Sequence, residues 1–154
     1  DDDRRLRASA KAGFPPGPLN KIASGGELSR HSLAIKVATR HRGESVTQIF
    51  DEVDAGIGGD TANAVGRLLS RLSVNRQSGT GQALCVTHLA QVAVCASYQL
   101  QVSKSTEKHS TQVDTHLLDG EGRVDEIARM LSGTISGQSR AHALELLEMA
   151  NTMG

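Results

Sequence analysis

The chain is short of aromatic residues. Of its 154 positions only Phe14, Phe50 and Tyr98 belong to that class, 2% of the sequence, and there is no tryptophan. A groove that stacks successive bases, or a ligand pocket walled by rings, has almost nothing to be built from. An excess of charge of either sign is missing as well: 17 Lys and Arg stand against 17 Asp and Glu, a formal net charge of zero. No global positive field therefore argues for a nucleic-acid surface or an anionic membrane. No apolar stretch approaches the length of a membrane span, and no charged-then-apolar N-terminus resembles a secretion signal. The chain reads as intracellular, with no membrane partner. Cysteine is limited to Cys85 and Cys95, too far apart for a Cys-x-x-Cys motif and each inside an apolar run. Both read as buried, reduced thiols acting as small hydrophobes. No set of histidines, cysteines and carboxylates has convincing zinc spacing, and there is no Gly-x-Ser-x-Gly nucleophile elbow. Gly-x-x-x-x-Gly-Lys-Ser/Thr is absent too, so the loop and lysine that cradle the β and γ phosphates in P-loop nucleotidases are not in this sequence.

What is plentiful is glycine. There are 16 glycines against 3 prolines, and they cluster at Gly25-Gly26 and at Gly56 to Gly59. The length suits one domain able to bury roughly two-thirds of its unfolded surface, and is too short for two independent cores. The chain begins at Asp1 in a charged run without an initiator methionine, and reads as part of something longer. Residues 1–20 form a lead-in that ends in Phe14-Pro15-Pro16-Gly17-Pro18, which cannot propagate a helix or a central strand.

Residues 21–154 read as one α/β unit. Ser24-Gly25-Gly26-Glu27 fits a capping box and starts a helix in which Leu28, Ala34, Ile35 and Ala38 form the apolar face, stopping at His41-Arg42-Gly43. Val46 to Phe50 is a short β-prone run, a buried strand ending abruptly in Asp51-Glu52. Beyond the glycine loop, Asp60 caps a helix whose Ala62, Val65, Leu69 and Leu72 form one stripe, widened by Leu68. A polar loop from Asn75 to Gln82 leads to a second apolar strand, Ala83 to Val86, then Thr87-His88 and a helix from Leu89 to about Ala96. Strand, helix, strand, helix predicts a mainly parallel sheet flanked by helices. Two alternating runs, Tyr98 to Val102 and Thr111 to Leu117, predict half-exposed strands at an antiparallel edge, linked through a polar loop from Ser103 to Ser110. Asp119 to Gly122 reads as a turn, Val124 to Leu131 as a short amphipathic helix stopped by Gly133, and Ser139 to Ala150 as the last helix.

Three places could carry chemistry. Asp51 and Glu52 stand at the carboxyl end of a strand, where open α/β sheets bind ligands. An Asp there suits magnesium and the neighbouring Glu could deprotonate a water, or the two are an exposed pair with no task. Ser24, Gly25 and Gly26 at a helix start could receive a phosphate on free backbone N–H groups, or simply cap the helix. His88 at the end of the next strand could donate to a phosphate oxygen, or be satisfied by a backbone carbonyl.

The motifs taken together carry a resemblance. Ala23-Ser24-Gly25-Gly26-Glu27-Leu28-Ser29-Arg30, Ile49-Phe50-Asp51-Glu52-Val53-Asp54-Ala55-Gly56-Ile57-Gly58-Gly59 and Cys85-Val86-Thr87-His88-Leu89-Ala90-Gln91 occur in the order of the bacterial RecN family. That family belongs to the group of ABC-type ATPases that maintain chromosome structure (SMC-like). Arg123 to Leu131 and His142 to Leu147 extend the likeness, which runs from about Pro18 onward. The resemblance implies a P-loop NTPase-like fold, here the C-terminal lobe of an ABC/SMC ATPase head, without the P-loop-bearing N-terminal lobe and the coiled coil. It implies ATP and Mg2+ as cofactors. Ser24, Gly25, Gly26 and Glu27 match the signature motif that meets ATP held by an opposing head, and Asp51 matches the Walker B aspartate that supports magnesium, through water. Glu52 matches the general base, Asp54 falls in the segment that communicates across the dimer, and His88 matches the switch histidine. The implied partners are a second head in a homodimer, the N-terminal lobe of the same protein, and DNA through the full-length protein. The implied place is the cytoplasm, at the nucleoid. Such a lobe would hydrolyse ATP within the full-length dimer, in double-strand-break repair, and be inactive alone. Another chromosome-associated ATPase, a transporter cassette, or a non-catalytic interaction module are the alternatives, and Glu27 together with Asp54 to Gly59 argues against a transporter. Ala90 stands where a proline is expected from the family, and Ser78 to Gln82 reads as a small insertion.

Overall fold

A computed structural model describes residues 7–9, 13, 15, 17–18, 25–38, 47–73, 81–107 and 110–152. Two-residue strands β1 (Arg7–Ala8) and β2 (Gly17–Pro18) pair antiparallel within the lead-in. The part that matters for function is built on β3 (Thr47–Phe50) and β4 (Gln82–Cys85), which run parallel with Thr47 opposite Gln82 and Phe50 opposite Cys85. One further ladder bond, from Val86 N–H to the Phe50 carbonyl at 3.0 Å, keeps the two strand ends level.

Helix α2 (Gly59–Ser73) connects these strands and covers one side of them. Its Ala62, Val65, Leu69 and Leu72 are all buried, at the spacing the sequence predicts, and they pack with Phe50, Val53, Leu33 and Val92 into the first core. Leu68 packs against its margin. Helix α1 (Gly25–Ala38) differs from expectation. Leu28 and Ile35 are exposed, whereas Gly26 and Leu33 are buried and Val37 packs on the core. The buried line lies two residues from the expected one, about 200° around the helix. The reason is a close approach at Gly26 combined with a polar anchor, Arg30, described below.

After β4 the chain turns into α3 (Ala90–Ala93), a single turn. The longer helix expected to Ala96 is cut short because the bonds tighten: Cys95 N–H donates to Val92 and Ala96 N–H to Ala93, each three residues back. The Arg123 guanidinium takes the carbonyls of Ala93, Val94 and Ala96, the last at 2.6 Å. Val92 belongs to the first core, while Ala90, Ala93 and Val94 belong to a second, with Val124, Ile127, Ala128 and Ala143. This short helix therefore joins the two.

The second core is the work of α4 (Gly120–Ser132) and α5 (Gly137–Thr152). The turn expected at Asp119 to Gly122 is instead the first turn of α4. Asp119 is its N-cap, accepting the Gly122 N–H at 2.9 Å, and this bond offsets the poor helix propensity of two nearby glycines. Gly133 ends the helix in the left-handed region at φ 76°. Ahead of α4 in the chain come β5 (Leu100–Glu107) and β6 (Ser110–Leu117), an antiparallel hairpin with Leu100 opposite Leu117. Among the described residues it forms its own two-stranded sheet rather than an antiparallel edge of the parallel pair, and its strands continue through the expected loop because the ladder stays paired out to Glu107 and Ser110. Its inner tie is polar: Gln101 donates to the buried Glu126 of α4 at 2.7 Å, and Arg129 donates to both oxygens of the same carboxylate. The apolar side chains Leu100, Val102, Val113 and Leu117 face outward. No helix among the described residues is long and apolar enough to cross a membrane.

Candidate functional site

Everything of interest gathers at the carboxyl ends of β3 and β4. The apolar strand drives Phe50 and Val53 into the core, so the two acids between them must leave it, and Asp51 and Glu52 are both exposed. The reversal is tight. Glu52 adopts φ 58°, the left-handed region that costs a side-chain-bearing residue on the order of 1–3 kcal/mol. Two bonds offset that cost: the Asp51 carboxylate accepts the Glu52 N–H at 2.9 Å, and the Glu52 carbonyl accepts the Ala55 N–H at 3.1 Å. The turn thereby delivers a carboxylate outward from a fixed backbone.

The N-terminus of α1 sits directly on this turn. A Cβ built on Gly25 would come within 3.2 Å of Glu52 Oε2, and one on Gly26 within 2.8 Å of the Ala55 carbonyl oxygen and 2.9 Å of the Ala55 Cβ. Only glycine allows the helix start to lie so close to a neighbouring backbone. Four residues on, along the same face, the half-buried Arg30 donates to the Ala55 carbonyl at 2.8 Å and to that of Val53 at 3.4 Å. Arg30 was not singled out by sequence reasoning. Its signals are its place at the end of the Ala23 to Arg30 motif and the i+4 spacing from Gly26, which puts both on one helix face. Glu27 is half-buried in the first turn. Ser24 lies outside the described residues.

On the β4 side, Asp54 is 3% exposed. Its Oδ2 accepts the Thr87 hydroxyl at 2.5 Å and the His88 N–H at 3.0 Å, and lies 3.1 Å from His88 Nδ1. Burial works against its charge; the Thr87 hydroxyl, the His88 N–H and the His88 ring together outweigh it and hold the carboxyl below the usual range. Cys85, half-buried in β4, is pushed the other way, to about 11, by burial and then by the charges of Asp54 and Asp51. Cys95 is half-buried as well, where full burial was expected for both.

Gly25, Gly26, Asp51, Glu52, Asp54 and His88 are therefore brought to one edge of the molecule. Among the described residues no group of three or more His, Cys, Asp or Glu is arranged to hold a metal ion. Magnesium asks less: it keeps several waters and commonly takes one or two protein carboxylates together with substrate phosphates. The exposed Asp51 carboxylate beside Glu52 fits that role.

By fold and site this is an α/β unit that presents a glycine-opened helix, an acidic strand-end turn and an anchored histidine together. No family model matches the chain. It is 48% identical over 140 residues to the DNA repair protein RecN of Vibrio cholerae, covering 90% of this chain and 24% of that protein. It is 48% identical over 147 residues to RecN of Treponema pallidum (95% and 25%), and 49% identical over 145 residues to RecN of Deinococcus radiodurans (94% and 24%). The chain is thus similar to RecN proteins over nearly its whole length, and it spans about a quarter of theirs. A solved structure described by the words "ATP-driven dimerization and DNA stimulated activation of SMC ATPases" is similar at TM-score 0.42 and 18% identity, over 79% of this chain and 69% of that one, a likeness too loose to carry weight.

Proposed function

We propose that this chain is the C-terminal lobe, over residues 21–154, of a RecN-like ATPase head, and that it takes part in DNA double-strand-break repair by binding and hydrolysing ATP between two heads. The observation that carries the reading is the meeting of Gly25-Gly26, Glu52 and His88 around one turn, in a chain nearly half identical to RecN proteins. The backbone N–H groups at the start of α1, with Ser24, would receive the γ-phosphate of ATP held by the opposing head, a role that the absence of Cβ atoms at Gly25 and Gly26 suits. Glu52, exposed and held by its strained backbone, would accept the proton of the attacking water. Its neighbour Gly25 leaves room for that carboxylate. Asp51 would hold magnesium, which when bound screens the charge of the phosphates. His88 would contact the γ-phosphate from the side of β4. Asp54 is the member of the set turned inward, so its influence on the opposing head would pass through His88.

Phosphoryl transfer asks mainly for positioning and electrostatic stabilisation, and each of these groups is a positioned one. The outward apolar side of the β5–β6 hairpin, Leu100, Val102, Val113 and Leu117, supports a further part of the protein, an N-terminal lobe with the P-loop, as the partner that completes the head. DNA would be engaged by the full-length protein, in the cytoplasm at the nucleoid. The test is Glu52→Gln in the complete protein. Turnover should fall by a factor on the order of 10²–10⁴ while ATP-dependent pairing of heads persists. Hydrolysis at the unaltered rate would overturn the reading, as would saturable ATP hydrolysis by the 154-residue chain alone.

A further inference from the structure

The contacts of Asp54 have more order in them than a satisfied buried acid requires. One oxygen, Oδ2, meets three donors, and all three come from two consecutive residues, Thr87 and His88. Thr87 Oγ1 in turn accepts the Leu89 N–H at 3.1 Å, immediately before α3. The turn after β3 and the segment after β4 are joined by this relay at the point where the two parallel strands end. His88 is otherwise open: its side chain is 72% exposed, and the Nδ1 edge of the ring is the edge that is held.

A carboxylate is an acceptor only, so the ring nitrogen beside it must carry a proton. That assignment follows from Asp54 being held in its charged form by its surroundings. The other nitrogen, Nε2, lies across the ring and faces away from the carboxylate. In the neutral ring it carries the lone pair; in the protonated ring it presents N–H outward. An anionic phosphate oxygen can be met by the second form and not by the first.

We infer that Asp54, with Thr87, is a positioning residue for His88, fixing the ring with its proton on Nδ1 and directing Nε2 outward as the atom that meets substrate. Asp54 acts on the reaction through His88 and touches no reacting atom itself. What Nε2 meets rests on the ATPase reading; the clamp does not, and the two are tested apart.

The tautomer is read from long-range 1H–15N spectra of the histidine rings of the 154-residue chain without nucleotide, above the pH range in which histidine titrates, with His88→Gln assigning the signal among the 6 histidines. His88 is expected with Nδ1 protonated and Nε2 bare. Asp54→Asn should lose that bias, Thr87→Val should weaken it, and Thr87→Ser, which keeps the hydroxyl, should retain it. A wild-type ring with its proton on Nε2 overturns the inference without need of any variant, and so does a tautomer that Asp54→Asn leaves unchanged in a folded chain. If the tautomer behaves as expected and His88→Gln leaves ATP hydrolysis by the complete protein unaltered, the clamp stands and the role given to His88 in hydrolysis falls.

Discussion

Helices α1 and α2 are nearly equal in length, 14 and 15 residues, and both contribute to the same core around Phe50. They do so on different physical terms. The inner face of α2 is Ala62, Val65, Leu69 and Leu72, an ordinary apolar stripe whose burial follows from the hydrophobic effect alone. The inner face of α1 is Gly26, Arg30, Leu33 and Val37, one glycine and one cation for two aliphatic residues. It is docked by close backbone approach and by guanidinium bonds to two carbonyls of the turn that carries Glu52. Helix α2 is placed by the core and α1 by the site. A helix that spends its inner face on positioning has less left for stability, which is the usual trade at a functional edge.

The comparison breaks most visibly in the core of α2. Leu69→Ala removes a buried side chain from a packed stripe and should cost about 2–5 kcal/mol in chemical denaturation, enough to threaten the fold of the whole unit. A cost under about 1 kcal/mol would mean that α2 is no more a core helix than α1.

Gly26→Ala comes next. The added Cβ would lie 2.8 Å from the Ala55 carbonyl oxygen, a backbone atom that cannot swing aside. Relief requires the start of α1 to move off the turn, at about 1–3 kcal/mol. The displacement is local, so amide hydrogen exchange should rise at residues 25–30 and 52–56 while β4 and α2 keep their protection. Uniform loss of protection would mean that this approach supports the whole core, and an unchanged pattern would mean that the helix is not fixed by it.

How much of this was readable beforehand depends on which force placed the residue. The α2 stripe, the parallel order of β3 and β4 and the stop at Gly133 follow from periodicity and backbone chemistry, and they are where they were expected. The antiparallel pairing of the last two strands is there as well, but it runs on through residues expected to form a loop, as far as Glu107 opposite Ser110, and makes a sheet of its own. The buried face of α1 is not legible because Gly and Arg carry no hydrophobic signal, and Leu28 and Ile35 supply a false one. The early end of α3 was invisible because it depends on Arg123, 30 residues away from Ala93 in sequence. Asp119 to Gly122 read as a turn because two glycines lower helix propensity, and the Asp119 cap that outweighs them is a local bond rather than a pattern. At the site, residue types and their strand-end position were legible. That Asp54 faces inward to Thr87 and His88 was not, since adjacent positions in a turn follow no fixed alternation.

The smallest effect is the most direct measure of the difference between the two helices. Leu28 occupies the face of α1 on which a core stripe was expected, and it is 40% exposed. Leu28→Gln keeps a good helix former in the first turns and removes only partly buried apolar surface. The expected cost in thermal or urea denaturation is about 1 kcal/mol or less. The helix should stay docked, because Gly26, Arg30 and Leu33 on the far side are untouched. A loss near that of Leu69→Ala would put Leu28 in a core and return α1 to the same footing as α2. A loss within the expected bound leaves the apolar face of α1 contributing little to the stability of this chain, with the helix held in place by the turn that presents Glu52.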